Sequence, residues 1–163
     1  MALNSEAKIG NLKRSLDLYV KSNLETTEGL AVDYEGLPFD NTVHNTWVQP
    51  RIIGSTETFY PTGKASASGS SYAEQVEILF QVNVFTKQSG ATAASTHWDV
   101  RDMVAGHFRI GQNITLYEET GSTALATMRV REIVNDFSVP ETTELFQYVY
   151  AVEIAQTRLT NKP

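Results

Sequence analysis

The chain of 163 residues contains no cysteine, only three histidines, and fewer basic than acidic side chains. Without cysteine it can form no disulfide, no thiolate metal site and no thiol nucleophile, and this composition fits a reducing cytoplasm. Its 13 Lys and Arg against 19 Asp and Glu give a formal charge of −6, which disfavours phosphate neutralisation as the main task. These deficits exclude thiol chemistry and make nucleic-acid binding an unfavoured function.

Long apolar runs are missing as well. No stretch approaches the roughly 20 apolar residues that cross a bilayer, and Met1 to Glu6 lack the basic and then apolar pattern of a signal peptide. We therefore expect neither a membrane protein nor an exported one. A chain of this length with 41% apolar residues can bury one ordinary core, so we expect a single domain over residues 1–163.

The usual catalytic and nucleotide-binding motifs are absent too. There is no Gly-x-Ser-x-Gly elbow and no Rossmann glycine pattern, and the glycines near Lys64 lack the strand-to-helix context of a phosphate loop. The three histidines are not at metal-motif spacing, and on one helix His97 and Asp99 would face different directions. We therefore predict no catalytic residue, no metal site and no cofactor, and we place His97 on a solvated helix face.

Hydrophobic periodicity predicts two helices. Ile9, Leu12, Leu16 and Tyr19 recur at spacings of three and four, which indicates an amphipathic helix that begins near Ser5. A second helix is predicted over roughly residues 92–108. Its apolar stripe is predicted to consist of Trp98, Val104, Ala105 and Phe108.

Period-two alternation predicts six strands, preceded by a polar link over residues 23–29. The strands are expected at residues 30–35, 46–53, 74–85, 114–117, 124–134 and 145–154. Pro50 cannot donate a ladder hydrogen bond, so the second strand should form an edge or a bulge. Because turns separate consecutive strands, pairing should be antiparallel. The predicted fold is α+β, a mostly antiparallel sheet with two helices packed on one face.

A long loop is predicted between the second and third strands. Residues 54–72 are rich in Ser, Thr, Gly and Ala, and about 61–72 should be mobile. Rigid aromatic rings dominate binding hot spots, and three of them, Phe59, Tyr60 and Tyr72, lie at the two ends of the mobile segment. The residues predicted to contact another subunit or a partner are Pro50, Phe59, Tyr60, Pro61, Lys64 and Tyr72. The polar tail, about residues 158–163, is predicted to fray.

The centre of the chain resembles a known family. The segment Phe80-Gln81-Val82-Asn83-Val84-Phe85, a Ser89-Gly90 turn and a helix ending Val104-Ala105-Gly106-His107-Phe108 are similar to the central strand, glycine turn and helix of tail terminator (tail completion) proteins of tailed phages. The family's N-terminal helix, Trp-containing strand, variable loop and final apolar strand find counterparts at residues 9–19, Trp47, residues 54–72 and residues 145–154. The resemblance spans roughly residues 7–157, and the family has no active site to carry over.

The resemblance implies a virion protein that is assembled in the host cytoplasm. Such a protein caps the tail tube as a ring, commonly a hexamer, ends tail polymerisation and forms the surface that joins tail to head. Its partners would be further copies of itself, the tail tube protein and the head–neck connector protein. DNA would pass through the ring without specific binding, and the acidic charge of the chain is compatible with that passage.

Two other classes of function stay open. The chain could be another neck or head-completion protein or a tail tube protein, and rings or tubes formed by the purified protein would separate these cases. A small ligand-binding domain or enzyme would need a concave pocket with several titratable groups of perturbed pKa. The sequence offers no motif from which such a site would start.

Overall fold

The structure is a computed structural model that describes residues 8–64, 71–88, 91–140 and 144–161. Two α-helices and six strands form its main elements. In chain order they are α1 (Ile9–Val20), β1 (Ala31–Val32), β2 (Thr46–Lys64), β3 (Ser71–Lys87), α2 (Ala91–His107), β4 (Asn113–Tyr117), β5 (Ala124–Val139) and β6 (Leu145–Asn161). A π-helical turn (Lys21–Thr27) extends α1, and a short 3-10 turn (Asn41–Val43) precedes β2.

The six strands form one sheet in the order β1-β2-β3-β6-β5-β4. Only β1 and β2 are parallel, and the other four neighbouring pairs are antiparallel. The predicted α+β fold with a mostly antiparallel sheet is therefore confirmed. The two longest ladders join β3 to β2 and to β6, so β3 and β6 form the centre of the sheet.

Both helices cover the same face of the sheet, which we call the inner face. On β3 the inner-face side chains alternate with period two and are buried: Val76, Ile78, Phe80, Val82 and Val84. The side chains Leu12, Leu16 and Val20 of α1 and Val100 and Val104 of α2 belong to the same buried cluster. The buried side chains recur every second residue on β3 and every three or four residues on the helices. Together they form one continuous core, as predicted.

Helix α1 runs further than the sequence indicated. Residues 23–29 were predicted as a polar link, but the helical path continues through Thr27 and buries Leu24 completely. Leu24 extends the four-residue spacing of Leu16 and Val20, so its burial outweighs the polar character of its neighbours. Gly29, with φ 71°, then takes the left-handed conformation that glycine tolerates and ends the helix.

The long loop predicted over residues 54–72 is wrong for most of its length. Residues 54–64 belong to β2 and residues 71–72 to β3, and the pair Lys64↔Tyr72 lies near the end of their ladder. Residues 65–70 lie outside the described residues. Ser and Thr fit a pleated strand well when a strong strand pairs with them, and β3 provides that template. The composition of this segment, rich in small polar residues, therefore predicted a loop where the chain forms the two strands of a β-hairpin.

Three other strand boundaries also differ from prediction. β1 has two residues instead of six, because only Ala31 and Val32 pair with β2. β5 continues to Val139 and β6 to Asn161, well beyond their last apolar alternation. The tail predicted to fray is paired with β3 through Asn161, and its fraying stays a prediction.

Candidate interaction surfaces

Each end of the sheet leaves a long stretch of strand with a neighbour on one side only. At one end, β1 pairs with β2 at Trp47 and Val48, and β2 then continues beside β3 alone. At the other end, the pairing of β4 with β5 ends at Arg129, and β5 continues beside β6 alone. Within the described residues we call the outer side of residues 51–58 the β2 edge and that of residues 132–139 the β5 edge.

The β5 edge carries a concentration of exposed apolar side chains. Of the nine large apolar side chains that are exposed among the described residues, three lie there: Ile133, Val134 and Phe137. Phe137 is 48% exposed. Two irregularities interrupt the ladder with β6, one between Val130 and Glu132 and one between Ile133 and Asn135. On the β2 edge, Ile53 is 53% exposed, beside an irregularity between Ile52 and Gly54.

Beside the β5 edge lies a group of four side chains that we call the Arg101 cluster: Trp98, Arg101, Asp136 and Tyr148. Arg101 donates from Nε to Asp136 Oδ1 over 3.1 Å, and the Tyr148 hydroxyl donates to the same oxygen over 2.7 Å. The guanidinium lies 5.8 Å from the centre of the Tyr148 ring, and Trp98 meets that ring edge-on with centroids 5.2 Å apart. The cluster therefore ties α2 to β5 and β6.

The charges of the cluster hold each other in the ionised state. Burial alone would raise the pKa of Asp136, but hydrogen bonds from Arg101 and Tyr148 and the charge of Arg101 outweigh it and lower that pKa. The hydrogen bond to Asp136 raises the pKa of Arg101. Burial, with the hydrogen bond to Asp136, raises the pKa of Tyr148. The carboxylate of Asp136, on the β5 edge, is thus neutralised within its own chain.

The apolar stripe predicted for α2 is wrong in one member, because Trp98 is 50% exposed. His97 takes the buried place, 2% exposed, although we predicted a solvated face for it. Its ring stacks on Phe146 with centroids 5.5 Å apart, and Nδ1 lies 3.2 Å from Thr86 Oγ1. Nε2 is buried without a hydrogen-bond partner, and burial lowers the pKa of His97. The spacing of His97, Val100 and Val104 was the signal for this stripe.

The three histidines lie in three different places. His44 stacks on Phe39 with centroids 5.2 Å apart, while His107 Nε2 lies 2.7 Å from Glu28 Oε1. In the part of the chain that the structure describes, no group of three or more His, Asp or Glu side chains is arranged to hold a metal ion. No helix among those residues has the length and apolar character that crossing a bilayer requires.

The predicted contact residues fall into two places along the β2–β3 hairpin. Pro50 is buried, faces Val82 on β3 and lies just past the last residue paired with β1. β2 is not the outermost strand, because β1 lies beside it, but a bulge follows Pro50 between Ile52 and Gly54. The other five lie near the far end of the hairpin: Phe59, Tyr60, Pro61 and Lys64 on β2, and Tyr72 on β3. Nine residues of strand, about 30 Å, separate Pro50 from Phe59. A contact of any of them with a partner stays a prediction.

Two concave regions bear on the alternative of a ligand-binding site. A cavity of about 400 Å³ is lined by Gln156, Arg129 and Arg131, among others, and both amide atoms of Gln156 are buried without a partner. A groove of about 720 Å³ lies between α1, the β1 region and the turn after β4. In this groove, burial and the neighbouring Glu25 raise the pKa of Tyr34. The groove is lined by several titratable side chains: Arg14, Asp17, Lys21, Glu25, Tyr34, Glu35 and Glu119. Hydrogen bonding to Lys8 lowers the pKa of Glu119, so this groove is the region that the ligand-binding alternative would use.

Comparisons with known proteins add information on the fold alone. No protein-family model and no curated protein matches the chain. Eighteen chains of solved structures match, and one of them is similar over 96% of this chain and 97% of the other, with a TM-score of 0.57 and 11% sequence identity. At this identity the likeness supports a shared architecture and says nothing about function.

Proposed function

We propose that this chain is a structural subunit of a phage tail that caps the tail tube as a ring. In this role it ends tail polymerisation and forms the surface that joins tail to head. The observation that carries the proposal is the pair of open edges at opposite ends of one sheet. The order of elements around β3 and α2 is also that of the tail terminator family that the sequence resembles.

Two different open edges favour head-to-tail assembly. When one edge of a copy meets the other edge of the next copy, each addition leaves one edge of each kind open. A constant rotation between copies then closes a ring or builds a helical filament. Long open edges with exposed apolar side chains are an aggregation hazard that proteins normally blunt, so a functional contact explains why Ile53 and Phe137 are exposed here.

The Arg101 cluster supplies the residue types of a protein–protein contact beside one of these edges. Trp, Tyr and Arg are enriched among the residues that dominate binding energies. Trp98 is half exposed, and its contact with Tyr148 holds it in place. We assign this side of the ring to contacts with protein partners. These are further copies of the chain, six in a ring as the family resemblance implies, the tail tube protein and the head–neck connector protein. The protein then belongs to the virion after assembly in the host cytoplasm.

A second candidate rests on the same open edges. A tail tube or neck protein also joins its copies through repeated contacts, and its rings would stack. The two candidates differ in what the purified chain builds. A terminator forms single rings and limits the length of tubes, whereas a tube protein lengthens them.

Electron microscopy and native mass spectrometry test the proposal. The purified chain should give closed rings of one stoichiometry, either alone or on tubes assembled from the tail tube protein of the same phage. Adding the chain during tube assembly should shorten the tubes and leave a ring at one end. Stacked tubes of this chain alone would favour the second candidate, and monomers at high concentration without rings on tubes would overturn both.

A further inference from the structure

We infer that the β5 edge of one copy pairs with the β2 edge of the next copy in antiparallel register, so that neighbouring sheets join into one continuous sheet. This inference rests on the proposed function, because it names the contact between copies of the proposed ring. It concerns a second copy of this chain and no other partner.

The direction of the strands follows from the topology. From β2 through β3 and β6 to β5, three successive neighbours are antiparallel, so β2 and β5 run in opposite directions within one copy. A rotation that continues the sheet from copy to copy keeps these directions. The β5 edge therefore meets the β2 edge of the next copy antiparallel, as in strand addition at an open sheet edge.

The two edges match in length and in facing. Each offers eight residues, about 26 Å of strand at 3.3 Å per residue. Thr56 pairs with Glu77 and Asn135 with Ala151, and both partners alternate with inner-face residues of β3 and β6. Thr56 and Asn135 consequently lie on the outer face, so they can come to lie side by side when the two sheets continue each other.

The chemistry of the edges favours this partner over a symmetric dimer. Pairing would cover Ile53 on one side and Val134 and Phe137 on the other, which are exposed in the single chain. Asp136 is neutralised by Arg101, so closing the contact does not bury this carboxylate without its counter-charge. Two β5 edges paired with each other would stop at a dimer and leave both β2 edges open.

The absence of cysteine permits a clean cross-linking test. Thr56→Cys and Asn135→Cys are made as separate variants and mixed in equal amounts with a bis-maleimide. Within one chain Thr56 and Val134, the neighbour of Asn135, line one concavity of about 340 Å³. The two cysteines are therefore placed on separate chains, and only cross-links between chains are scored. A reagent with a span of about 7 Å, the length of two strand residues, also joins the two cysteines when the register between the copies is shifted by up to two residues. Unchanged urea midpoints confirm that both variants fold.

The mixture should yield a cross-linked dimer as its main product, while each variant alone should stay monomeric on denaturing gels. The matched control mixes Asn135→Cys with Ser22→Cys, an exposed position in the π-helical turn, and should give background only.

Three results would overturn the inference, and they separate it from the proposed function. Rings in the microscope without cross-links above the control would place the contact elsewhere and leave the proposed function standing. A dimer from either single variant alone would indicate symmetric edge pairing. Neither rings nor cross-links, in solution or on tubes, would overturn both proposals together.

Discussion

Apolar side chains are buried at the centre of the sheet and exposed at its edges. At the centre, β3 and β6 pair continuously from Ser71↔Asn161 to Lys87↔Leu145, and inner-face side chains such as Phe80 and Tyr150 are 1% exposed. On the β5 edge, Phe137 is 48% exposed. Apolar side chains on a strand are thus buried where helices and strands pack on all sides. They stay exposed where the strand has a neighbouring strand on one side only.

The largest expected effect compares truncation of one phenylalanine in each region. Phe80→Ala should lower the free energy of unfolding by about 3–5 kcal/mol, because it leaves a cavity among buried side chains. Phe137→Ala should change the stability of the monomer by less than about 0.5 kcal/mol. Urea unfolding at low protein concentration measures both. Similar losses for the two variants would show that the β5 edge is part of the monomer core.

A charge on the β5 edge should act on assembly and leave folding intact. Phe137→Lys should weaken self-association about tenfold, or about 1.4 kcal/mol, because a lysine at a strand edge opposes edge pairing. Sedimentation velocity measures the association, and the urea midpoint should stay unchanged. Leu37→Lys is the matched control, since Leu37 is 63% exposed and belongs to neither edge. Equal weakening by both would remove the β5 edge from the contact.

The buried amide of Gln156 on β6 should make one substitution stabilising. Gln156 is 2% exposed and both atoms of its amide lack a partner, so Gln156→Met should raise the free energy of unfolding by about 1 kcal/mol. Gln147→Met, on the same strand at a half-buried position, should be nearly neutral. A loss of stability in Gln156→Met, seen in urea unfolding, would indicate that the amide is hydrogen-bonded in solution.

The smallest expected effect is the pH dependence that comes from His97. Burial lowers its pKa in the folded state, so below the unfolded value of about 6.5 the unfolded chain binds more protons and stability falls as pH falls. The loss levels off below the folded pKa. Between pH 7 and 5, His97→Gln should lose less stability than the parent. Identical slopes for the parent and His97→Gln would contradict the expectation.

Sequence reasoning found the elements that carry their own pattern and missed those that depend on a neighbour. The alternation of Val76, Ile78 and Phe80 and the spacing of Leu12 and Leu16 predicted buried faces that the structure has. The hairpin arm at residues 54–64 has no such pattern, because its strand form depends on pairing with β3. The Arg101 cluster was also missed, since Asp136 is 35 residues from Arg101 and the two meet only when β5 lies beside α2.

The sequence by itself determined the class of fold and the lack of thiol chemistry, because periodicity and composition are local properties of the chain. Only the tertiary structure decided which strands have one neighbour, since strand order depends on contacts between distant residues. It also decided that Trp98 is exposed and His97 buried: a helix face is assigned by what packs against it, and hydrophobicity alone ranked the two residues the other way.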